Sequence, residues 1–148
     1  MHGWRRWSAL AALTAVTALS VSACSKGGAS EAESSPPVKV VGVRGTELHR
    51  VVLSRDALER IGLETEPVAD GAGPGGTVVP YAALIYDPSG ATWVYADVGP
   101  RTFERVAVTV DRVDEDTVRL TTGPAVGTRV VTVGAAEVYG SEFLSEHE

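Results

Sequence analysis

The sequence is short of the residues that most often announce a chemistry. It holds one cysteine, Cys24, in 148 residues. That excludes an intrachain disulfide framework and a cysteine-only zinc site. The one methionine is Met1, which leaves no methionine-rich copper site. Beyond the N-terminal segment the histidines are His49 and His147, which fall in separate stretches without ligand spacing, so no metal is expected. There is no run of basic residues and the formal charge is −6, which argues against a nucleic-acid partner. The longest apolar stretch, from about Trp7 to Val21, is broken by Ser and Thr and falls short of the ~20 apolar residues of a comfortable membrane span. No nucleophile–base pair is legible, so neither an enzyme nor a cofactor is expected. Gly71, Gly73, Gly75 and Gly76 precede no helix and do not make a phosphate-cradling loop. The acidic stretch Asp111–Asp116 lacks the glycine and glutamate spacing of a calcium loop and reads as a solvated turn.

What is there begins with Arg5 and Arg6, the short apolar stretch behind them, and Val21-Ser22-Ala23-Cys24. This is the layout of an export signal, and its end resembles the lipobox of bacterial lipoproteins. The resemblance implies cleavage between Ala23 and Cys24 and a diacylglycerol on the Cys24 thiol. Two adjacent arginines without further motif are weak grounds for twin-arginine export. Loss of residues 1–23 would leave 125 residues with eleven basic against nineteen acidic side chains, net −8. Each buried CH₂ of an acyl chain contributes about 0.8 kcal/mol. The chain is therefore expected in the cell envelope, lipid-anchored to the outer face of the cytoplasmic membrane. Residues 24–37 carry no aromatic or large aliphatic side chain and cannot offset the entropy of ordering. They read as a disordered tether with a reach of roughly 20 Å.

Residues 38–139 alternate mostly with period two. Val38–Val43 and Leu48–Leu53 are short β-branched runs. Ser54–Gly62 predicts a short helix, with Ser54 as N-cap, Asp56 in the first turn and Gly62 past its end. Leu63–Val68 is extended, and Pro67 marks an edge or strand end. The loop 70–76 holds four glycines and Pro74 and separates two halves of one domain. Thr77–Val79, Ala83–Tyr86, Thr92–Val98, Phe103–Val110, Thr117–Thr121 and Arg129–Val133 follow as strands. Asp87-Pro88-Ser89-Gly90 and Gly99-Pro100 make the turns between them. Ala135–Tyr139 closes the domain as a short helix, and 140–148 is a polar, acidic, frayed tail. The fold expected is mainly β: a small antiparallel barrel or sandwich with one short helix at Ser54–Gly62 and the closing turn of helix. Tyr81, Tyr86, Trp93, Tyr95 and Phe103 bracket the central hairpin. Cross-strand packing is their first role; a partner surface built from Tyr81, Trp93, Tyr95 and Phe103 is the second.

Three stretches in order carry a wider resemblance. They are Val51–Val68; Val79–Tyr95, with Val79-Pro80, Ala83-Leu84 and Trp93-Val94; and Gly123–Gly134, with Gly127-Thr128-Arg129-Val130-Val131. Together, over about Leu48–Tyr139, the chain resembles the periplasmic adaptor subunits, or membrane fusion proteins, of resistance-nodulation-division and related exporters. A full adaptor carries an α-hairpin, a lipoyl-like domain and a β-barrel between the first and second stretch, where this chain has only Asp70–Gly76. Pro124 stands where the family usually has Leu. The resemblance implies a membrane-proximal-like domain that docks on an inner-membrane transporter, without the hairpin that reaches an outer-membrane channel. Self-association is compatible with it. The alternative is a surface lipoprotein that binds a small ligand or peptide in its β domain.

Overall fold

The computed structural model describes residues 36–71 and 76–144. Ala23, Cys24 and all but the last two tether residues lie outside these, as do 72–75 and 145–148. In chain order the strands are β1 (Val38–Gly42), β2 (His49–Leu53), β3 (Glu64–Pro67), β4 (Ala69–Asp70), β5 (Thr77–Pro80), β6 (Ile85–Tyr86), β7 (Thr92–Gly99), β8 (Thr102–Ala107), β9 (Thr109–Asp114), β10 (Thr117–Thr122) and β11 (Arg129–Val133). Helix α1 (Arg55–Ile61) follows β2, and α2 (Ala135–Leu144) follows β11. The protein is mainly β, and all the strand pairs are antiparallel.

The strands form two sheets. A seven-stranded sheet runs β1-β2-β8-β7-β11-β3, with β6 beside β7, and a four-stranded sheet runs β4-β5-β10-β9. Successive side chains on a strand point to opposite faces, and in the larger sheet both faces are covered. Val94 and Val130 face a core shared with Val79, Val118 and Leu120 of the smaller sheet. Their neighbours Tyr95 and Val131 face a second core with Val51, Leu53 and Phe103, roofed by Ala57 of α1 and Ala135 and Val138 of α2. The order is thus small sheet, large sheet, helices. At about 25 cal/mol per Å² of apolar surface, each fully buried valine contributes about 1.5–3 kcal/mol.

Two strand runs pass from one sheet to the other. The run Phe103–Val110, expected as one strand, breaks at Val108, whose N–H donates to Thr92 O at 3.0 Å. Val108 turns into the inter-sheet core; β8 stays in the large sheet and β9 joins the small one. Val68 does the same between β3 and β4, donating to Thr128 O at 2.8 Å and accepting from Gly127 N at 2.8 Å. Such bends make the corners of packed sheets.

Helix α1 forms as expected. Ser54 Oγ accepts from Ala57 N at 3.1 Å, and Gly62 closes the helix in the left-handed region at φ 67°. Pro67 ends the edge strand β3, opposite Arg129. Four expectations need correction. The run Ala83–Tyr86 is strand only at Ile85–Tyr86; Ala83 ends a single 3₁₀ turn, Tyr81–Ala83. Asp111 and Asp114 belong to β9, and the turn is confined to Glu115-Asp116. The glycine loop ends a hairpin, β4 against β5, with Gly71 N donating to Gly76 O at 3.0 Å. The closing helix does not stop at Tyr139: α2 continues to Leu144, so 140–144 is no frayed tail.

Two glycines near α2 are expected to respond in opposite senses. Gly134, at φ 89°, leads into α2, and a Cβ there would sit 2.5 Å from Ile61 Cγ2. Gly134→Ala is expected to cost about 2 kcal/mol in urea unfolding. Gly140 lies inside α2 with open space where its Cβ would be. Gly140→Ala is expected to stabilise by up to ~1 kcal/mol in the same measurement.

Candidate functional site

The unusual chemistry of the described residues lies under α2. Helix periodicity puts Ala135, Val138, Tyr139 and Glu142 on one face. Glu142 is fully buried there, at 0% exposure. An isolated buried carboxylate is very costly, and three elements of the large sheet answer it. The Tyr95 hydroxyl, on β7, donates to Glu142 Oε2 at 2.5 Å. Arg105, on β8 and directly across from Tyr95, brings Nη2 to 3.1 Å from Glu142 Oε1. His49, at the start of β2, places Nδ1 3.8 Å from the same oxygen. The Arg105 guanidinium lies between two rings, 4.5 Å from the Trp93 centroid and 5.1 Å from that of Phe143. Cation–π attraction replaces part of the hydration it gives up. Burial first, then the hydrogen bond to Glu142 and that residue's negative charge, push the Tyr95 hydroxyl above its ordinary value of 10.0.

Trp93 is held from its other end by the turn before β7. Its Nε1 donates to Asp87 Oδ2 at 3.0 Å. Asp87 Oδ1 accepts from Ser89 Oγ at 2.6 Å, Ser89 N at 2.8 Å and Ala91 N at 3.0 Å. The Ser89 hydroxyl and then the Trp93 indole hold the Asp87 carboxyl down at about 2. The expected turn Asp87–Gly90 is present, with Gly90 N donating to Asp87 O at 2.9 Å.

The aromatic partner surface expected from sequence divides. Tyr81 and Tyr86 are exposed, at 46% and 54%, and Trp93 is half-buried. Tyr95 and Phe103 are not surface residues. They are 0% and 3% exposed, because α2 covers the sheet face they stand on. Sequence reasoning also missed Glu142, which sits within a stretch taken for a polar tail, and the burial of Arg105. The spacing Ala135, Val138, Tyr139, Glu142 was the available signal. No group of three or more His, Cys, Asp or Glu that could hold a metal occurs among the described residues. No helix among them is long and apolar enough to cross a membrane.

Comparison with protein-family models, with curated proteins and with solved structures gives no match. The cluster is therefore read on its own chemistry. The Glu142 carboxylate is engaged by a hydroxyl, a guanidinium and an imidazole, and it binds α2 to three neighbouring strands. Chemically it is a clamp.

Glu142→Ala would leave the Arg105 cation buried against apolar rings. It is expected to cost about 3–5 kcal/mol in chemical denaturation, whereas Arg112→Ala, which breaks the exposed pair with Asp114, is expected to cost under about 1 kcal/mol.

The raised Tyr95 value gives a second expectation. The folded chain keeps this proton where the unfolded chain loses it. Its contribution is complete below about pH 10 and is lost as pH rises further, by about 1.4 kcal/mol per pH unit. Tyr95→Phe is expected to be less stable at pH 7 but to lose this part of the alkaline slope. Urea midpoints measured between pH 8 and pH 11 check it; parallel slopes for the two proteins would refute it.

Proposed function

We propose that this chain is a lipid-anchored, non-enzymatic, adaptor-like component of a membrane export system, which docks on an inner-membrane transporter from the outer face of the cytoplasmic membrane. The observation that carries this is that each of the three adaptor-like stretches contributes strands to the large sheet. In the large sheet the first supplies most of β2 and all of β3, with α1 between them, the second β6 and the start of β7, and the third β11, while Val79-Pro80 of the second ends β5 of the small sheet. Strand β3 pairs with β11 from Arg129–Pro67 to Val133–Glu64, and Arg129 donates to both the Thr65 hydroxyl and the Thr65 carbonyl. Strand β11 pairs in turn with β7 at Val130–Ala96, one residue past the second stretch, whose Val94 shares a core with Val130. Stretches at the two ends of the domain thus complete one another.

The glycine hairpin supports the same proposal. In a full adaptor the lipoyl-like and hairpin domains are inserted between the first and second stretch. Here Gly71 and Gly76 are hydrogen-bonded to each other at the end of β4–β5. A hairpin end accepts insertion or deletion without disturbing the sheet behind it, so a domain of this form stands with or without them. Tyr81 and Tyr86, exposed on either side of the Ala83–Leu84 core contact, are suited to a protein partner, because tyrosine gives large contact area at interfaces.

The deciding experiment is crosslinking in intact cells followed by purification of the tagged full chain. Recovery of a membrane transporter, reduced by Tyr81→Ala together with Tyr86→Ala, is the expected result. Recovery of no transporter, with export unchanged on deletion of the gene, would refute the proposal.

A further inference from the structure

At the Leu53 end of the β1–β2 pair lies a cleft of about 550 Å³ lined by Pro36, Lys39, Val52, Leu53, Ser54 and Arg101. Among the described residues two cations and no carboxylate line it, in a chain whose formal charge is −6. Lys39 and Val52 are cross-strand partners, so they stand side by side on one face. Arg101 is delivered by the Gly99–Thr102 turn between β7 and β8. It holds φ 57°, a left-handed conformation that favours glycine and costs a side-chain-bearing residue free energy. The turn is fixed in place because the Arg101 carbonyl accepts from Leu53 N at 3.0 Å. Ser54 N donates to Pro37 O at 2.9 Å, which fixes Pro36 at the cleft margin. A left-handed backbone at Arg101 thus brings a guanidinium to a cleft that Lys39 also lines, together with Pro36, Val52 and Leu53. That combination suits a phosphate group with hydrocarbon attached.

We infer that this cleft binds the phosphate of an anionic phospholipid headgroup in the membrane beside which the chain is anchored. The inference rests on the anchoring proposed above. Cys24 lies twelve residues before Pro36, so a lipid on its thiol puts the cleft within about 40 Å of headgroups even at full extension. Each Lys or Arg close to an anionic surface contributes about a fivefold preference. The cleft therefore turns one side of an anionic protein toward the membrane.

The test uses the full chain purified from membranes and mixed with nanodiscs of phosphatidylcholine alone, or with about a third phosphatidylglycerol. Hydrogen exchange is followed at residues 36–41 and 99–103. Exchange roughly fivefold slower with phosphatidylglycerol is expected. Lys39→Ala with Arg101→Gly, the latter suited to the left-handed backbone, is expected to abolish the difference while exchange in α2 stays unchanged. Lys39→Arg is expected to retain it. Equal exchange in the two discs overturns the inference. Protection by millimolar glycerol phosphate, without an effect of phosphatidylglycerol, overturns the membrane as source and assigns the cleft to a free phosphate compound. Intact mass of the same sample reports independently whether Cys24 is acylated, and transporter crosslinking is read without reference to lipid composition. Failure of the cleft is thereby separated from failure of the anchor or of docking.

Discussion

The large sheet has to be buried on both faces, and the rest of the structure answers that requirement. Val94 and Tyr95 are adjacent on β7, and Val130 and Val131 are adjacent on β11; all four are fully buried. Adjacent residues of a strand cannot share a face. A single layer on either side would leave two of them in water, at about 1.5–3 kcal/mol each. The four-stranded sheet covers one face. The other is left to α1 and α2, seven and ten residues long, too short to hold as helices without packing.

The placement of α2 therefore matters more than its propensity. An apolar stripe alone lets a helix slide or rotate over a smooth sheet. Glu142 removes that freedom, because its carboxylate is tolerable only where Tyr95 and Arg105 meet it. A displaced α2 would strand a carboxylate on one side and a guanidinium on the other, each costing several kcal/mol. Arg105 transmits the same constraint to Trp93, which the Asp87 turn grips from its other end. The polar cluster adds little net stability compared with the apolar core around it. Its contribution is to leave one register of helix on sheet.

What was legible in the sequence is what local chemistry decides. Ser54 and Gly62 set both ends of α1, and Asp87 through Gly90 set their turn, through groups only a few residues apart. Pro67 marked an edge strand because it has no N–H for a neighbour. The bend at Val108 was not legible. Alternation at Val106, Val108 and Val110 tells which face is apolar, and it reads the same whether that face stays in one sheet or passes to another. Glu142 was hidden for a different reason. A glutamate among polar residues near a C-terminus reads as solvated, and its hydroxyl partner is 47 residues away. Separation along the chain also hid the burial of Tyr95 and Phe103. Their burial depends on α1 and α2 packing over one sheet face, and the strand alternation does not show which face the helices take.

The Lys39–Arg101 cleft and the glycine hairpin, the features on which the two proposals draw, stand on different sheets, and this follows from the topology. The Lys39–Arg101 cleft belongs to β1, β2 and the β7–β8 turn, at the β1 edge of the large sheet. The glycine hairpin belongs to β4 and β5 of the small sheet. Residues lining the first can change without touching the pairing that closes the second. Charge then separates their roles. An anionic chain is repelled by an anionic surface except where cations stand without carboxylates, and the field of a few such groups falls off within about 10 Å. If the cleft binds headgroups as proposed, its two cations set which side of the chain faces the membrane, whereas an insertion between the first two stretches falls at the Gly71–Gly76 hairpin end.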